Sequence, residues 1–124
     1  MFLLDENISH KIAKALSALG EAVRHVTDVL PRGTADEAIF EKLAEEDWFL
    51  ITQDQYIRRR KHQREAMLQA GIGAFIFTGR AEKSLKEMTV AVLERFDEIN
   101  ELAIRTDRPF IFGIPDRGGI ERLE

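Results

Sequence analysis

Short apolar runs alternate along this chain with longer segments whose apolar residues recur at helical spacing. That is the pattern of a parallel sheet with crossover helices. Phe2–Leu4 reads as a first strand and leads directly into Asp5. Residues 8–19 place Ile8, Ile12, Ala15, Leu16 and Leu19 on one helical face, and Gly20 supplies a C′ stop. Ala22–Val26 reads as a second strand. Thr34, Ala35, Asp36 and Glu37 form a capping-box sequence that opens a helix through about residue 46, with Ile39, Phe40, Leu43 and Ala44 inward. Trp48–Thr52 is a third strand, apolar enough to predict burial on both faces.

The second half continues the alternation. Residues 55–69 read as a polar, basic helix anchored by Ile57, Ala66, Met67 and Leu68. Gly73–Thr78 is a fourth strand. A long helix is predicted from about Glu82 to Ala103, with Leu85, Met88, Val92, Phe96, Ile99 and Ala103 at helical spacing. Phe110–Ile114 is a fifth strand, and the turn at 115–119 lets Ile120–Leu123 return as a hairpin arm. The expected fold is α/β: a single three-layer domain over residues 1–124, with helices on both faces of a mostly parallel, twisted sheet of about five strands.

Composition narrows the function classes. At 124 residues, 44% hydrophobic and 32% charged, the chain suits a globular domain rather than a disordered segment. It has no Cys, which removes disulfides, thiolate chemistry and sulfur-bound zinc, and which fits a reducing, cytoplasmic setting. MFLLDEN lacks the apolar h-region of a signal peptide, and no run has the length of a membrane span, so no membrane association is expected. A net charge of −4 argues against coating nucleic acid by bulk charge.

The acids are placed where chemistry is expected. In open α/β sheets ligands sit beyond the carboxyl ends of the strands, at the topological switch point. Asp5 follows the first strand and Asp54 lies two residues past the third. Strand-end Asp residues also cap helices and turns, and the pairing of two makes the site reading stronger. With ~100° per residue, Asp36 falls in the middle of the apolar stripe formed by Ile39, Phe40 and Leu43. A carboxylate aimed at a sheet needs a cation, strong hydrogen bonds or the field of its helix N-terminus. Three such acids suit a hard, oxygen-seeking ion, Mg²⁺ or Mn²⁺. Asp5, Asp36 and Asp54 are therefore the candidate catalytic and metal-binding residues. Glu6 and Asn7 extend the first cluster, Glu37 competes with Asp36 but suits the capping box better, and Thr52 could orient the site by a hydrogen bond. Asn7 reads as the N-cap of the first helix, His10 and His62 as solvated, and His25 as a strand residue.

A basic run begins beside this site. Between Gln55 and Arg64 there are five Lys or Arg and no acid. Such runs are commonly solvated helix faces. Next to a proposed metal ligand, Arg58, Arg59, Arg60 and Lys61, with Tyr56 as a stacking ring, could instead hold a phosphate backbone, joined by Arg80 from beyond the fourth strand.

The ordered stretches LLDEN (3–7), TADEAI (34–39), ITQD (51–54), IRRR (57–60), GAFIFT (73–78) and RPFIF (108–112) resemble the PIN-like domains, in particular the branch of VapC-type toxins of toxin–antitoxin modules. The resemblance implies a Mg²⁺- or Mn²⁺-dependent endoribonuclease acting on RNA and neutralised by a cognate antitoxin protein. Its acids map onto Asp5, Asp54 and, in the middle helix, Asp36 or Glu37; a fourth acid has Glu6, Asp107 and Asp116 as candidates. Two other readings stay open. One is a catalytically silent PIN-like binding module. The other is a phosphoacceptor receiver-like domain using Asp54 and Thr78, against which stands the absence of a Lys after the fifth strand. Homodimerisation through the long helix or the terminal arm is a further expectation.

Overall fold

In the computed structural model, which describes residues 1–53, 61–80 and 82–124, the chain winds strands and helices into one six-stranded sheet. The elements are β1 (Phe2–Leu4), α1 (His10–Ala18), β2 (Val23–His25), a 3₁₀ turn (Val26–Asp28), α2 (Asp36–Glu46), β3 (Phe49–Thr52), α3 (Lys61–Ala70), β4 (Gly73–Phe77), α4 (Leu85–Arg105), β5 (Phe110–Ile114) and β6 (Glu121–Arg122). Strand order is β2-β1-β3-β4-β5-β6. The first five strands pair in parallel, and β6 returns antiparallel to β5, with Phe112 opposite Arg122. The C-terminal arm thus forms as a sixth strand.

The period-two alternation of strand side chains sorts the core into two layers. Phe2, Leu4, Ile51, Phe75, Phe77, Phe110 and Phe112 face α1 and α4, where Ile12, Leu16, Val92, Phe96 and Ile99 meet them. Leu3, Leu50, Ala74, Ile76 and Ile111 face the other way, against Ile39, Phe40 and Leu43 of α2 and Met67 of α3. Both faces are covered, as the uninterrupted apolar strands require.

Helix ends account for the differences from the sequence expectations. At the end of α1 the N–H of Gly20 donates to Ser17 O (3.0 Å) and that of Glu21 to Leu16 O (3.0 Å), the paired bonds of a Schellman cap, with Gly20 at φ +89°. This stop holds Leu19 at the cap, where it is 68% exposed instead of inward. The capping box predicted at Thr34 and Glu37 does not form. The Thr34 hydroxyl and N–H both donate to Pro31 O, closing a turn, so α2 starts after Ala35 without a side-chain cap. Glu37 is thereby at the second helical position and cannot reach back to an N-cap. A capping box occurs instead at α4: Glu87 N donates to Ser84 Oγ and Ser84 N to Glu87 Oε1, both at 3.1 Å. That start leaves Leu85 in the exposed first turn, 44% accessible, and Met88 is the first residue of α4 that the core buries. Among the described residues no helix is long and apolar enough to cross a membrane.

Candidate functional site

The strand order makes β1 and β3 neighbours, with chain crossovers leaving in opposite directions from them, so the switch point lies between their carboxyl ends. Asp5 stands there. Its N–H extends the ladder to Ile51 O (3.0 Å), and its carbonyl accepts from Ile8 N (3.0 Å) in the turn that enters α1. Oδ1 accepts from Glu6 N at 2.8 Å, and Oδ2 accepts from the Thr52 hydroxyl at 3.1 Å.

Thr52 ends β3 and is fully buried. Asn7 Nδ2 donates to the same hydroxyl oxygen at 3.0 Å. A hydroxyl has one proton to give, and two acceptors lie within reach of it, Asp5 Oδ2 at 3.1 Å and Asn7 Oδ1 at 3.2 Å. Asn7 Oδ1 also accepts from Gln53 N (3.4 Å), and the Gln53 side-chain amide donates to the Asn7 carbonyl. Asn7 therefore fastens the loop after β1 to the end of β3. The N-cap of α1, expected at Asn7, is Ser9, whose hydroxyl accepts from Lys11 N at 3.2 Å. Below this loop His25 is buried; its Nδ1 accepts from Thr27 N (3.2 Å), which leaves Nε2–H to donate to Ile8 O at 2.8 Å.

Asp36 comes from the opposite wall. It is the first residue of α2, half-buried above Ile39, where the positive end of the helix favours a carboxylate. Gln63 of α3 donates from Nε2 to Asp36 Oδ2 at 2.8 Å. Glu6 reaches across as well, Oε1 accepting from Gly33 N at 2.8 Å, and ties the two loops together. The result is a cavity of about 260 Å³ lined by Asp5, Glu6, Asn7, Gly33, Thr34, Asp36 and Ile39. Glu37 lies elsewhere, exposed, on a separate cavity with Glu41, Ala44 and Ala66. Of the two candidate acids in α2, Asp36 is the one that lines the same cavity as Asp5.

The remaining candidates among the described residues do not line this cavity. Asp54, Tyr56, Ile57, Arg58, Arg59 and Arg60 lie outside the described residues. Lys61 is highly exposed, 4.0 Å from Glu65, and Arg64 is 2.9 Å from the Glu124 side chain. The Arg80 guanidinium pairs with Glu87, while Arg80 N donates to Asp116 Oδ2 at 2.7 Å and Lys83 Nζ sits 2.6 Å from Asp116 Oδ1. Those donors, Arg80 N–H first and Lys83 second, hold the Asp116 carboxyl below the usual carboxylate range. A Cβ on Gly79 would fall 1.9 Å from Asp116 Oδ1, so any other residue at that bend would displace the carboxylate. Asp107 is exposed. His10, expected to be solvated, pairs with Asp28 at 2.9 Å, and this bond is the first cause that lowers the Asp28 pKa. His62 is exposed.

The donors around the cavity are carboxylate, hydroxyl and amide oxygens, the set that Mg²⁺ or Mn²⁺ prefers. Gln63 Oε1 adds a buried oxygen with no hydrogen-bond partner among the described residues, beside Asp36. Among the described residues no three His, Cys, Asp or Glu cluster closely enough to hold an ion alone. Two carboxylates completed by water are a normal Mg²⁺ environment, so the donor set fits the ion.

Sequence reasoning missed Gln63 and His25 as parts of this region, and it placed Asn7 beside the Asp5 cluster while favouring an N-cap role that Ser9 takes instead. Gln63 carried no signal, because its partner lies 27 residues away on another helix. Comparison with curated proteins and with solved structures gives no match. The profile of the PIN like domain matches residues 1–79, which run from β1 through β4 and include Asp5, Asp36 and Thr52. With well over half of its length matched, the chain belongs to the PIN like domain family.

Proposed function

We propose that this protein is a metal-dependent endoribonuclease that hydrolyses phosphodiester bonds of RNA, acting in the cytoplasm as the toxin of a toxin–antitoxin module. The observation that carries the reading is the cavity at the β1/β3 switch point, which Asp5 and Asp36 enter from opposite walls. Membership of the PIN like domain family supports a place among nucleases, and the VapC-type resemblance supports the toxin role and a cognate antitoxin.

In this proposal Asp5 and Asp36 hold Mg²⁺ or Mn²⁺, with Asp54 as the third ligand. The ion, when bound, supplies an activated water and charge stabilisation on the phosphoryl oxygens. The chain's own residues fix the geometry. Thr52 sets the rotamer of Asp5 through its hydroxyl, and Gln63 does the same for Asp36 through its amide. Tyr56, Arg58, Arg59, Arg60 and Lys61 hold the RNA backbone by charge and stacking. Arg80 contributes from the β4–α4 loop, where Glu87 orients it. Val90, Leu93 and Ile104 are exposed on α4 and give homodimerisation an apolar surface.

The test is cleavage of single-stranded RNA under Mg²⁺ or Mn²⁺ titration, comparing wild type with Asp5→Asn and Asp54→Asn. Metal-dependent cutting that both variants lose supports the reading. Equal cutting by wild type and variants places the chemistry elsewhere. The alternative is a catalytically silent PIN-like binding module. Binding of metal without cleavage of any RNA in a mixed pool would select it.

A further inference from the structure

A second cavity, of about 300 Å³, opens on the other side of Asn7 from the acidic one. Asn7 lines both, and Gln53, bonded to the Asn7 backbone and side chain, lines the second. The chemistry differs between the two. The first cavity presents Asp5, Glu6 and Asp36; among the described residues the second has no acid in its lining and presents Lys11 and Lys83 over an apolar floor of Leu85 and Met88.

The two lysines differ. Lys83 is 9% exposed in its side chain and is fixed by Asp116 and by the Arg80 carbonyl, to which Nζ donates at 2.7 Å. It forms a rigid wall. Lys11 is exposed on the first turn of α1, so its ammonium is the adaptable cation of this cavity. Leu85 is accessible to 44% because α4 begins there, and inside this cavity that exposed leucine becomes an apolar contact surface. Positive charge on one side and aliphatic or thioether surface on the other fit a ligand that is anionic at one end and flat and apolar at the other. A nucleotide is such a ligand, and the volume sits at the lower end of pockets that hold small molecules.

We infer that this second cavity seats one nucleotide of a single-stranded RNA next to the scissile phosphate, its phosphate at Lys11 and its base against Leu85 and Met88. The inference rests on the nuclease reading above and extends it, because it gives the strand a direction: from the acidic cavity, over Asn7, toward the start of α4. Lys11 and Leu85 act in binding, not in the chemical step.

The experiment uses the full chain, a fluorescent 12-nucleotide single-stranded RNA, and the exposed-site variants Lys11→Ala and Leu85→Glu. Binding is read by anisotropy in EDTA at several salt concentrations, and cleavage by KM and kcat with Mn²⁺. Lys11→Ala should weaken binding severalfold and make the log–log salt slope less negative by about 0.7, the single-strand value for one lost phosphate contact. Leu85→Glu should weaken binding at least as much, and both variants should raise KM with kcat unchanged. Wild-type affinity, salt slope and KM in both variants would overturn the inference, and so would a wild-type chain that binds no RNA. The two readings fail separately. RNA cutting that needs Asp5 but ignores Lys11 and Leu85 removes the second cavity and keeps the nuclease. Binding that needs Lys11 and Leu85, without cutting under Mg²⁺ or Mn²⁺, keeps the nucleotide seat and removes the hydrolase.

Discussion

The two faces of the sheet are built differently. The face under α1 and α4 is aromatic: Phe2 meets Phe96 at 5.2 Å between ring centres, Phe75 meets Phe110 at 5.4 Å, and Phe110 meets Phe112 at 5.1 Å. The face under α2 and α3 is smaller and mostly aliphatic, with Leu43, Met67, Ala74 and Ile111 buried beside the ring of Phe40. That second face also admits polar side chains at its upper edge, Asp36 from α2 and Gln63 from α3. One face invests in packing, where aromatic pairs add to burial. The other accepts a carboxylate near the core because a helix N-terminus and an amide partner offset its desolvation.

This difference predicts a separation of stability from activity. The largest effect should come from Phe75→Ala, which empties the middle of the aromatic layer. Chemical denaturation should show a loss of about 3–5 kcal/mol, with the folded fraction keeping its metal affinity. Equal damage to metal affinity and stability would erase the distinction between the faces. Asp36→Asn should do the reverse. Cleavage should fall by at least about a hundredfold, equivalent to about 2.7 kcal/mol of barrier, while the thermal midpoint stays close to wild type.

Thr52→Val sharpens the comparison at the strand end between the two faces. It removes the hydroxyl that links Asp5 and Asn7 in a fully buried position. Metal affinity or rate should drop by about 10- to 100-fold, with a stability loss of about 1–3 kcal/mol, measured by Mn²⁺ titration and urea unfolding.

The smallest effect belongs to Asp116, whose carboxyl is held low in the folded protein. A depressed folded pKa gives stability that is present above the ordinary carboxylate range and lost as pH falls through the folded value. Asp116 is 44% exposed, so solvent screening keeps the contribution small. Urea midpoints followed from neutral to acidic pH should fall slightly less for Asp116→Asn than for wild type. An identical acid limb in the two proteins would show that the Lys83 and Arg80 contacts carry no stability.

Much of this was legible in the sequence, for reasons particular residues show. β5 was readable to the residue at Phe110–Ile114, because a buried parallel strand is an apolar run with turn residues on both sides. Asp36 was readable as inward-facing because 3.6-residue periodicity fixes its angle to Ile39 and Phe40. The helix starts were less secure. Thr34 and Glu37 have capping-box spacing, yet the hydroxyl is used by the Pro31 turn, and Ser84 and Glu87 have the same spacing and do cap. Local spacing cannot tell which donor a hydroxyl will meet. The long-range bonds of the site, Thr52 to Asp5 and Gln63 to Asp36, depend on strand register and helix packing, and neither leaves a periodic trace.

The central claim is that Asp5 and Asp36, from different elements, act as one metal-binding unit. Mn²⁺ affinity measured by calorimetry for wild type, Asp5→Asn, Asp36→Asn and the double variant tests it most directly. The account predicts that each single change weakens binding by at least about tenfold and that the double change is far from additive, as expected for residues sharing one ligand. Wild-type affinity in either single variant, or strictly additive losses, would contradict it.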